Sequence, residues 1–240
     1  LDINRALPEN RPPMKLSIVI PAYNEIATLV EVVGMVRAQA GPDAEILVID
    51  DGSTDGTVQA LERLEAEGAV LAFYQPHNQG KGSAVRRGLA AATGDIVLVQ
   101  DADLEYYPAD YPVLLEPILA GRVDVVYGSR FRGESEGWWW RQWLANQTLT
   151  WLSNRLTGWR VTDMETCYKC FRREAFAGIE IRSRRFTVEP EFTAKIARSD
   201  ARIWEVPIRY RGRKFTEGKK IGWRDGVAAL WAIVRYQFAN

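Results

Sequence analysis

Asp101-Ala102-Asp103 follows an apolar run, Ile96 to Gln100, so two carboxylates leave a strand end at a spacing that one turn can aim into a single cavity. Such crowding is costly unless a cation neutralises it. Oxygen donors with no His or Cys nearby favour Mg²⁺ or Mn²⁺ shared with substrate phosphates, and Glu105 is a third candidate ligand. Asp50 and Asp51 end a second apolar run, Glu45 to Ile49, where they can accept hydrogen bonds from a base or ribose. The Gly52 to Thr57 stretch behind them supplies a turn and, at Ser53, Thr54 or Asp55, a helix cap. Lys81, in Asn78-Gln79-Gly80-Lys81-Gly82, is either a phosphate contact or a surface lysine, because the stretch is too short for a P-loop and lacks its Ser/Thr partner. Late in the chain, Arg209, Arg211, Arg213, Lys214, Lys219 and Lys220 fall within twelve positions beside one acid, Glu217. Phosphate is the natural partner of that cluster. A nucleic-acid patch would bring stacking aromatics or a groove-reading motif, so no nucleic acid is expected.

The elements needed to position these groups can be read from hydrophobic periodicity. Apolar runs at Leu16 to Ile20, Glu45 to Ile49, Val70 to Tyr74 and Ile96 to Gln100 read as strands. Between them lie helical patterns ending at Ala38, spanning Val58 to Glu67, and running from the Asn78 loop to Ala92. Strands alternating with helices predict an α/β fold with a mostly parallel sheet, in which ligands bind beyond the carboxyl ends of the strands. Tyr23 to Glu25, Asp50-Asp51 and Asp101 to Asp103 all fall there. Further on, Asp124 to Arg130 reads as a strand, Pro190 to Arg198 as a helix and Ala201 to Ile208 as a short strand, with an amphipathic helix at the end. The division is a lead over 1–14, a main domain over 15–220 and a C-terminal helix over 221–240.

The 240 residues are 47% hydrophobic and 26% charged, which excludes disordered and collagen-like classes. A net charge of zero conceals a split. Residues 1–120 carry 8 basic and 18 acidic side chains, and residues 121–240 carry 23 and 13, so an acidic half suited to a cation meets a basic half suited to phosphate. Cys167 and Cys170 cannot form a disulfide framework and read as free thiols rather than a redox pair. The single histidine, His77, leaves no imidazole cluster and little basis for a Ser-His-Asp triad. No apolar run is long enough to span a bilayer. Trp138, Trp139, Trp140 and Trp143, with Arg132 and Arg141, suit a membrane headgroup boundary. In the last helix, Trp223, Val227, Leu230, Trp231 and Val234 form either a core stripe or a second membrane contact.

Taken in order, Ile18 to Glu25 (IVIPAYNE), Val48 to Thr57 (VIDDGSTDGT), Asn78 to Leu89 (NQGKGSAVRRGL), Asp101 to Asp103 (DAD) and Tyr127 to Arg130 (YGSR) resemble the inverting family 2 glycosyltransferases of the GT-A fold. The likeness runs from about Lys15 to Lys220. Arg213 and Lys219 match an Arg-x5-Lys element of the branch that comprises dolichyl-phosphate mannosyltransferases and bacterial polyprenyl-phosphate glycosyltransferases. The resemblance implies that Pro21, Tyr23, Glu25, Ile49, Asp51, Lys81 and Ala102 contact the nucleotide. It implies that Asp101 and Asp103, with Glu105, hold Mg²⁺ or Mn²⁺, and that Arg130, Arg213 and Lys219 face phosphates. Glu105 departs from the Gln or Ser usual near that position. Asp163 to Lys169 (DMETCYK) is similar to the segment that relatives place near sugar and acceptor, and Glu189 and Glu191 match acidic positions of the next helix. Glu191 either orients a sugar hydroxyl or pairs with a buried arginine.

The expected reaction is transfer of a hexose from a nucleoside diphosphate sugar, of GDP-mannose or UDP-glucose type, to a polyprenyl phosphate with inversion. The expected location is cytoplasmic, peripheral at the cytoplasmic face of the membrane. The alternatives are a family 2 enzyme acting on a saccharide hydroxyl, with Asp163 or Glu191 as base, and a silent nucleotide-sugar binding protein. An NAD-dependent reading fails because the first strand ends in Pro-Ala-Tyr-Asn-Glu and lacks GxGxxG.

Overall fold

The structure is a computed structural model that describes residues 14–137, 140–213 and 222–238, without the side chains of Trp223 and Arg224. Thirteen residues of the lead, Trp138, Trp139, Lys214, Lys219 and Lys220 therefore lie outside the described residues, as does the side chain of Trp223.

The first half alternates as expected: β1 (Leu16–Ala22), α1 (Leu29–Ala40), β2 (Glu45–Asp50), α2 (Thr57–Ala66), β3 (Leu71–Tyr74), α3 (Lys81–Ala91) and β4 (Ile96–Val99). These strands pair in parallel in the order β3-β2-β1-β4. Buried on both faces, they carry nearly continuous apolar runs. The period of two sorts them: Ile18 and Ile20 face α1 through Leu29, Val32 and Val36, whereas Val19 faces α3 through Ala84 and Val85. Helix α3 sits so close to the sheet that a Cβ on Gly88 would stand 2.3 Å from Val19 Cγ1.

The second half contributes α4 (Tyr111–Leu119), β5 (Val125–Ser129), a short β6 (Ser135–Glu136), α5 (Trp140–Thr157), β7 (Lys169–Arg172), α6 (Val188–Ile196), β8 (Ile203–Pro207), a short β9 (Tyr210–Arg211) and α7 (Trp223–Phe238). The complete sheet reads β3-β2-β1-β4-β7-β5-β8, and β6 pairs with β9 apart from it.

Several elements have no counterpart in the sequence reading: α5, the short β6 and β9, and two that shape the site edge, α4 and β7. In α4, Pro112 and Pro117 mask the helical pattern, yet Pro112 lies in the first turn, where its missing N–H costs nothing. Strand β7 is only four residues long and runs antiparallel between β4 and β5. Its start therefore lies at the carboxyl ends of its neighbours, and this direction brings the 163–168 loop onto the same edge as Asp101 to Glu105. Helix α7 packs on α5 and α6, and its Ala229 and Ile233 belong to the same apolar cluster as Phe192 and Leu149.

Candidate active site

The edge is assembled from polar loops that fasten one another. After β1, Asn24 takes the left-handed conformation, and its Oδ1 accepts the Thr54 N–H at 2.8 Å. The Glu25 N–H donates to the Thr57 hydroxyl at 2.9 Å, which links this loop to the turn after β2. Asp55 Oδ1 accepts the Thr57 N–H at 3.0 Å, but the N-cap position itself is Gly56, which offers no side chain, so none of Ser53, Thr54 and Asp55 is the cap residue that the sequence predicts. Asp51 is buried and accepts three N–H donors: Gln75 Nε2 at 3.0 Å, Gln79 N at 2.8 Å and Gly80 N at 2.7 Å. Burial raises its carboxyl pKa, against the pull of those backbone donors. Its visible work is to fasten the loop that carries Lys81. Gly80 is required in that loop, because its φ is +95° and a Cβ would stand 2.2 Å from the Arg184 carbonyl oxygen.

Lys81 is thus neither a surface lysine nor free for phosphate in this state. Its Nζ lies 2.8 Å from Asp101 Oδ1, 3.4 Å from Glu189 Oε1 and 2.6 Å from Cys167 Sγ. Glu189 Oε2 in turn meets Lys169 Nζ at 2.6 Å. Burial pushes the Asp101 carboxyl up, but Lys81, the Cys167 thiol and Arg213 bring it below the usual range. Asp103 behaves oppositely: burial, then the charges of Asp101 and Glu105, push it up to about 7 against the pull of Arg213.

Across the cluster, Arg213 binds Glu25 and Asp103 through its guanidinium and Glu105 through its backbone N–H. Tyr210 donates to the other oxygen of Glu105 at 2.8 Å. Leu104, between the two acids, has φ +60°, a conformation that a bulky side chain adopts only where its surroundings impose it. The Ala102 carbonyl accepts the Thr28 hydroxyl at 2.7 Å. Four acids, Glu25, Asp101, Asp103 and Glu105, thereby converge with Lys81 and Arg213. Among the described residues no three His, Cys, Asp or Glu side chains stand in a ready metal-ligand group.

Other residues singled out from the sequence are placed differently. Arg130 and Asp163 are bound to each other, with Arg130 Nε to Asp163 Oδ2 and Nη2 to Oδ1 both at 2.7 Å, and the Arg130 N–H adding a third bond at 3.0 Å. Glu191 pairs with Lys195 at 2.6 Å and accepts the Arg182 and Ser183 N–H groups, so its partner is a lysine rather than an arginine. The Ile49 side chain is buried with Val19 beneath Gly88, leaving no surface for a nucleotide. Pro21 and Tyr23 stay half-buried at the end of β1.

Within the 163–169 segment, which the resemblance places near sugar and acceptor, Glu165 and Lys169 carry no individual role in the sequence analysis, and Cys167 is read there as a free thiol. The signal was a run of ionisable residues beside a short apolar strand, the same pattern as at β2 and β4 in reversed chain direction. Glu165 Oε1 is buried without a hydrogen-bond partner among the described residues, and burial followed by the Glu189 charge raises its pKa to about 7 despite Lys169 and Arg130. A carboxyl raised in the folded state costs nothing below its unfolded pKa and its full penalty above the folded one. Stability is therefore expected to fall as pH rises from about 4.5 to about 7. Glu165→Gln should remove that slope, gaining on the order of 2 kcal/mol at pH 8 and nothing at pH 4 in urea titrations.

An α/β sheet that gathers acids at the carboxyl ends of its strands is an architecture that receives its ligands at that edge. Residues 17–179 match the glycosyl transferase family 2 profile, and the chain belongs to that family. It is 32% identical over 219 residues to a dolichol-phosphate mannosyltransferase of Pyrococcus furiosus, covering 87% of this chain and 61% of that protein. The chain thus spans less than two thirds of that relative's length. Solved structures of glucosyl-3-phosphoglycerate synthase from Mycobacterium tuberculosis share the GT-A fold. One complex with Mn²⁺, UDP and phosphoglyceric acid superposes with a TM-score of 0.73 at 23% identity, covering 99% of this chain and 82% of that one. Another with Mg²⁺ and UDP gives 0.74 at 22% identity, covering 100% and 83%.

Proposed function

We propose that this family 2 glycosyltransferase moves a hexose, mannose or glucose, from a nucleoside diphosphate sugar to the phosphate of a dolichyl- or undecaprenyl-type lipid, with inversion. The observation that carries this reading is the convergence of Glu25, Asp101, Asp103 and Glu105 with Lys81 and Arg213 at one sheet edge. The name of the archaeal relative supports the lipid phosphate acceptor.

The donor set fits Mg²⁺ or Mn²⁺, since it is all oxygen and, among the described residues, four acids face Lys81 and Arg213. Asp101 and Asp103, with Glu105, would hold the ion once Lys81 and Arg213 release them. When bound, a dication would withdraw charge from the diphosphate oxygens. Arg213, and Lys219 from outside the described residues, would stabilise the negative charge that grows as the bond from C1 to the diphosphate breaks. An acceptor phosphate oxygen forms the new bond to C1, and the nucleoside diphosphate departs. With a second pKa of about 6, a phosphate monoester needs little help from a base. Asp163 and Glu191 are each held in a buried ion pair, which agrees with a reaction that needs no base from them.

Glu165 favours a second reading, a saccharide hydroxyl acceptor, because an unpartnered carboxyl near pH 7 suits a general base. Incubation with a panel of nucleotide sugars, Mg²⁺ or Mn²⁺, and either a short prenyl phosphate or oligosaccharides, read by mass spectrometry, separates the readings. A hexosyl prenyl phosphate product is expected. Transfer only to glycans overturns the lipid reading, and donor binding without any transfer supports the silent binding protein.

For an enzyme using a lipid, a peripheral membrane position follows. Helices α5 and α7 pack together and expose Trp140, Trp143, Leu144, Trp151, Val227, Trp231 and Phe238, with Trp140 67% and Phe238 77% exposed. Arg141 lies over Trp140 and Arg235 over Trp231, pairing cations with rings as a headgroup boundary favours. No helix among the described residues is long and apolar enough to cross a membrane. Replacing Trp140, Trp151 and Trp231 together by serine is expected to lower cosedimentation with phosphatidylcholine–phosphatidylglycerol vesicles at least about tenfold. Unchanged binding would refute the surface.

A further inference from the structure

Arg213 lies where three carboxylates meet. Its Nη1 donates to Glu25 Oε2 at 3.1 Å, and its Nη2 donates to Glu25 Oε1 at 3.3 Å and to Asp103 Oδ2 at 2.8 Å. Its backbone N–H donates to Glu105 Oε1 at 2.7 Å. The fourth acid, Asp101, is neutralised separately by Lys81. Against this saturation stands one orphan: Arg213 Nε is buried without a hydrogen-bond partner among the described residues, 3.9 Å from the nearest Glu105 oxygen. A buried N–H without an acceptor is costly, and evolved interiors retain few of them. The orphan points to an acceptor present in another state of the site.

Accepting the glycosyltransferase reading above, on which this inference rests, a dication must enter carboxylates that already hold a guanidinium. Two like charges cannot share Asp103 in this largely buried cluster without strong repulsion. The guanidinium must leave when the ion arrives, and it then needs another anion. A diphosphate is the complementary one, because the planar fork can donate two parallel hydrogen bonds to phosphate oxygens and thereby employ Nε.

We propose that Arg213 is an exchangeable counter-ion: it fills the charge position of the dication in the nucleotide-free protein and passes to the diphosphate when ion and nucleotide bind. Metal and nucleotide then bind cooperatively, each tightening the other by the same factor. Nucleotide-free protein holds the ion weakly, and the acid cluster stays neutralised between turnovers without it.

The test measures Mn²⁺ binding to the full chain by electron paramagnetic resonance of the free ion, alone and with UDP, GDP, ADP or CDP. For the unaltered protein, the matching nucleotide should tighten Mn²⁺ binding at least about tenfold. Arg213→Ala should bind Mn²⁺ alone at least about tenfold more tightly than the unaltered protein, with the nucleotide effect reduced to roughly threefold or less. Mn²⁺ alone should also raise the melting temperature of Arg213→Ala more than that of the unaltered protein. Arg213→Lys, which keeps the charge but cannot span Glu25 and Asp103, should fall between the two and supplies the comparison if the alanine variant does not fold. Equal nucleotide-free Mn²⁺ affinity in all three proteins overturns the exchange and leaves the metal reading standing. Absence of Mn²⁺ binding to the unaltered protein with every nucleotide overturns the metal reading and the exchange with it.

Discussion

Asp103→Asn is expected to reduce hexose transfer by about a thousandfold or more while leaving the protein folded. The argument starts from charge. Asp103 stands beside Asp101 and Glu105 in a half-buried loop, and its carboxyl is raised to about 7 by burial and by those neighbours. A group in that condition destabilises the fold when ionised, fully above its folded pKa and not at all below its unfolded one, so its removal relieves a cost that grows between pH 4 and pH 8. Arg213 keeps Glu25 as its partner. Melting temperature at pH 8 should therefore match or exceed that of the unaltered protein, while calorimetry shows divalent-dependent donor binding lost. Unaltered donor titrations would refute the assignment of Asp103. Loss of activity together with loss of folding would place the residue in the architecture instead.

The second large effect concerns Arg130, which the family resemblance assigns to phosphate and the structure ties to Asp163 by three hydrogen bonds. Asp163 is fully buried and Arg130 is 7% exposed, and the loop around them is held by Glu205, which accepts the Thr162 and Asp163 N–H groups. Removing one partner strands a charge in the interior, at a cost of roughly 3–5 kcal/mol. Arg130→Ala should accordingly lower the melting temperature by roughly 10 °C. The double substitution Arg130→Met with Asp163→Leu should recover much of that loss in urea titrations, because the pair is replaced by apolar groups of similar volume. If Arg130→Ala keeps full stability but raises KM for the prenyl phosphate, the side chain is a phosphate ligand and the pair is secondary.

The two residues show where sequence reasoning reaches its limit. Asp101 and Asp103 were legible because the strand before them is an unbroken apolar run, so the chain itself says where the sheet ends and where polar groups must emerge. The same holds for Glu25 and Asp51, although Asp51 turns out to tie down the Lys81 loop through three N–H groups. For Arg130, Asp163, Glu191 and Lys81 the sequence supplied the residue and not the partner. An ionisable side chain has one appearance in a sequence whether it meets phosphate, a metal or another side chain. The partners of these four lie 33 positions away for Arg130 and Asp163, four, eight and nine away for Glu191, and 20, 86 and 108 away for Lys81.

The sequence by itself determined the parallel first half of the sheet, the edge where chemistry gathers and the oxygen-rich character of that edge, because local periodicity sets which residues are buried and therefore where a strand must stop. Only the tertiary structure decided that β7 runs against its neighbours and carries the Glu165 loop onto that edge, that Lys81 neutralises Asp101, and that Arg213 closes over Glu25 and Asp103. These are contacts between segments far apart in the chain. Their energies depend on distance and burial in three dimensions, and neither quantity is encoded in the order of residues along any one segment.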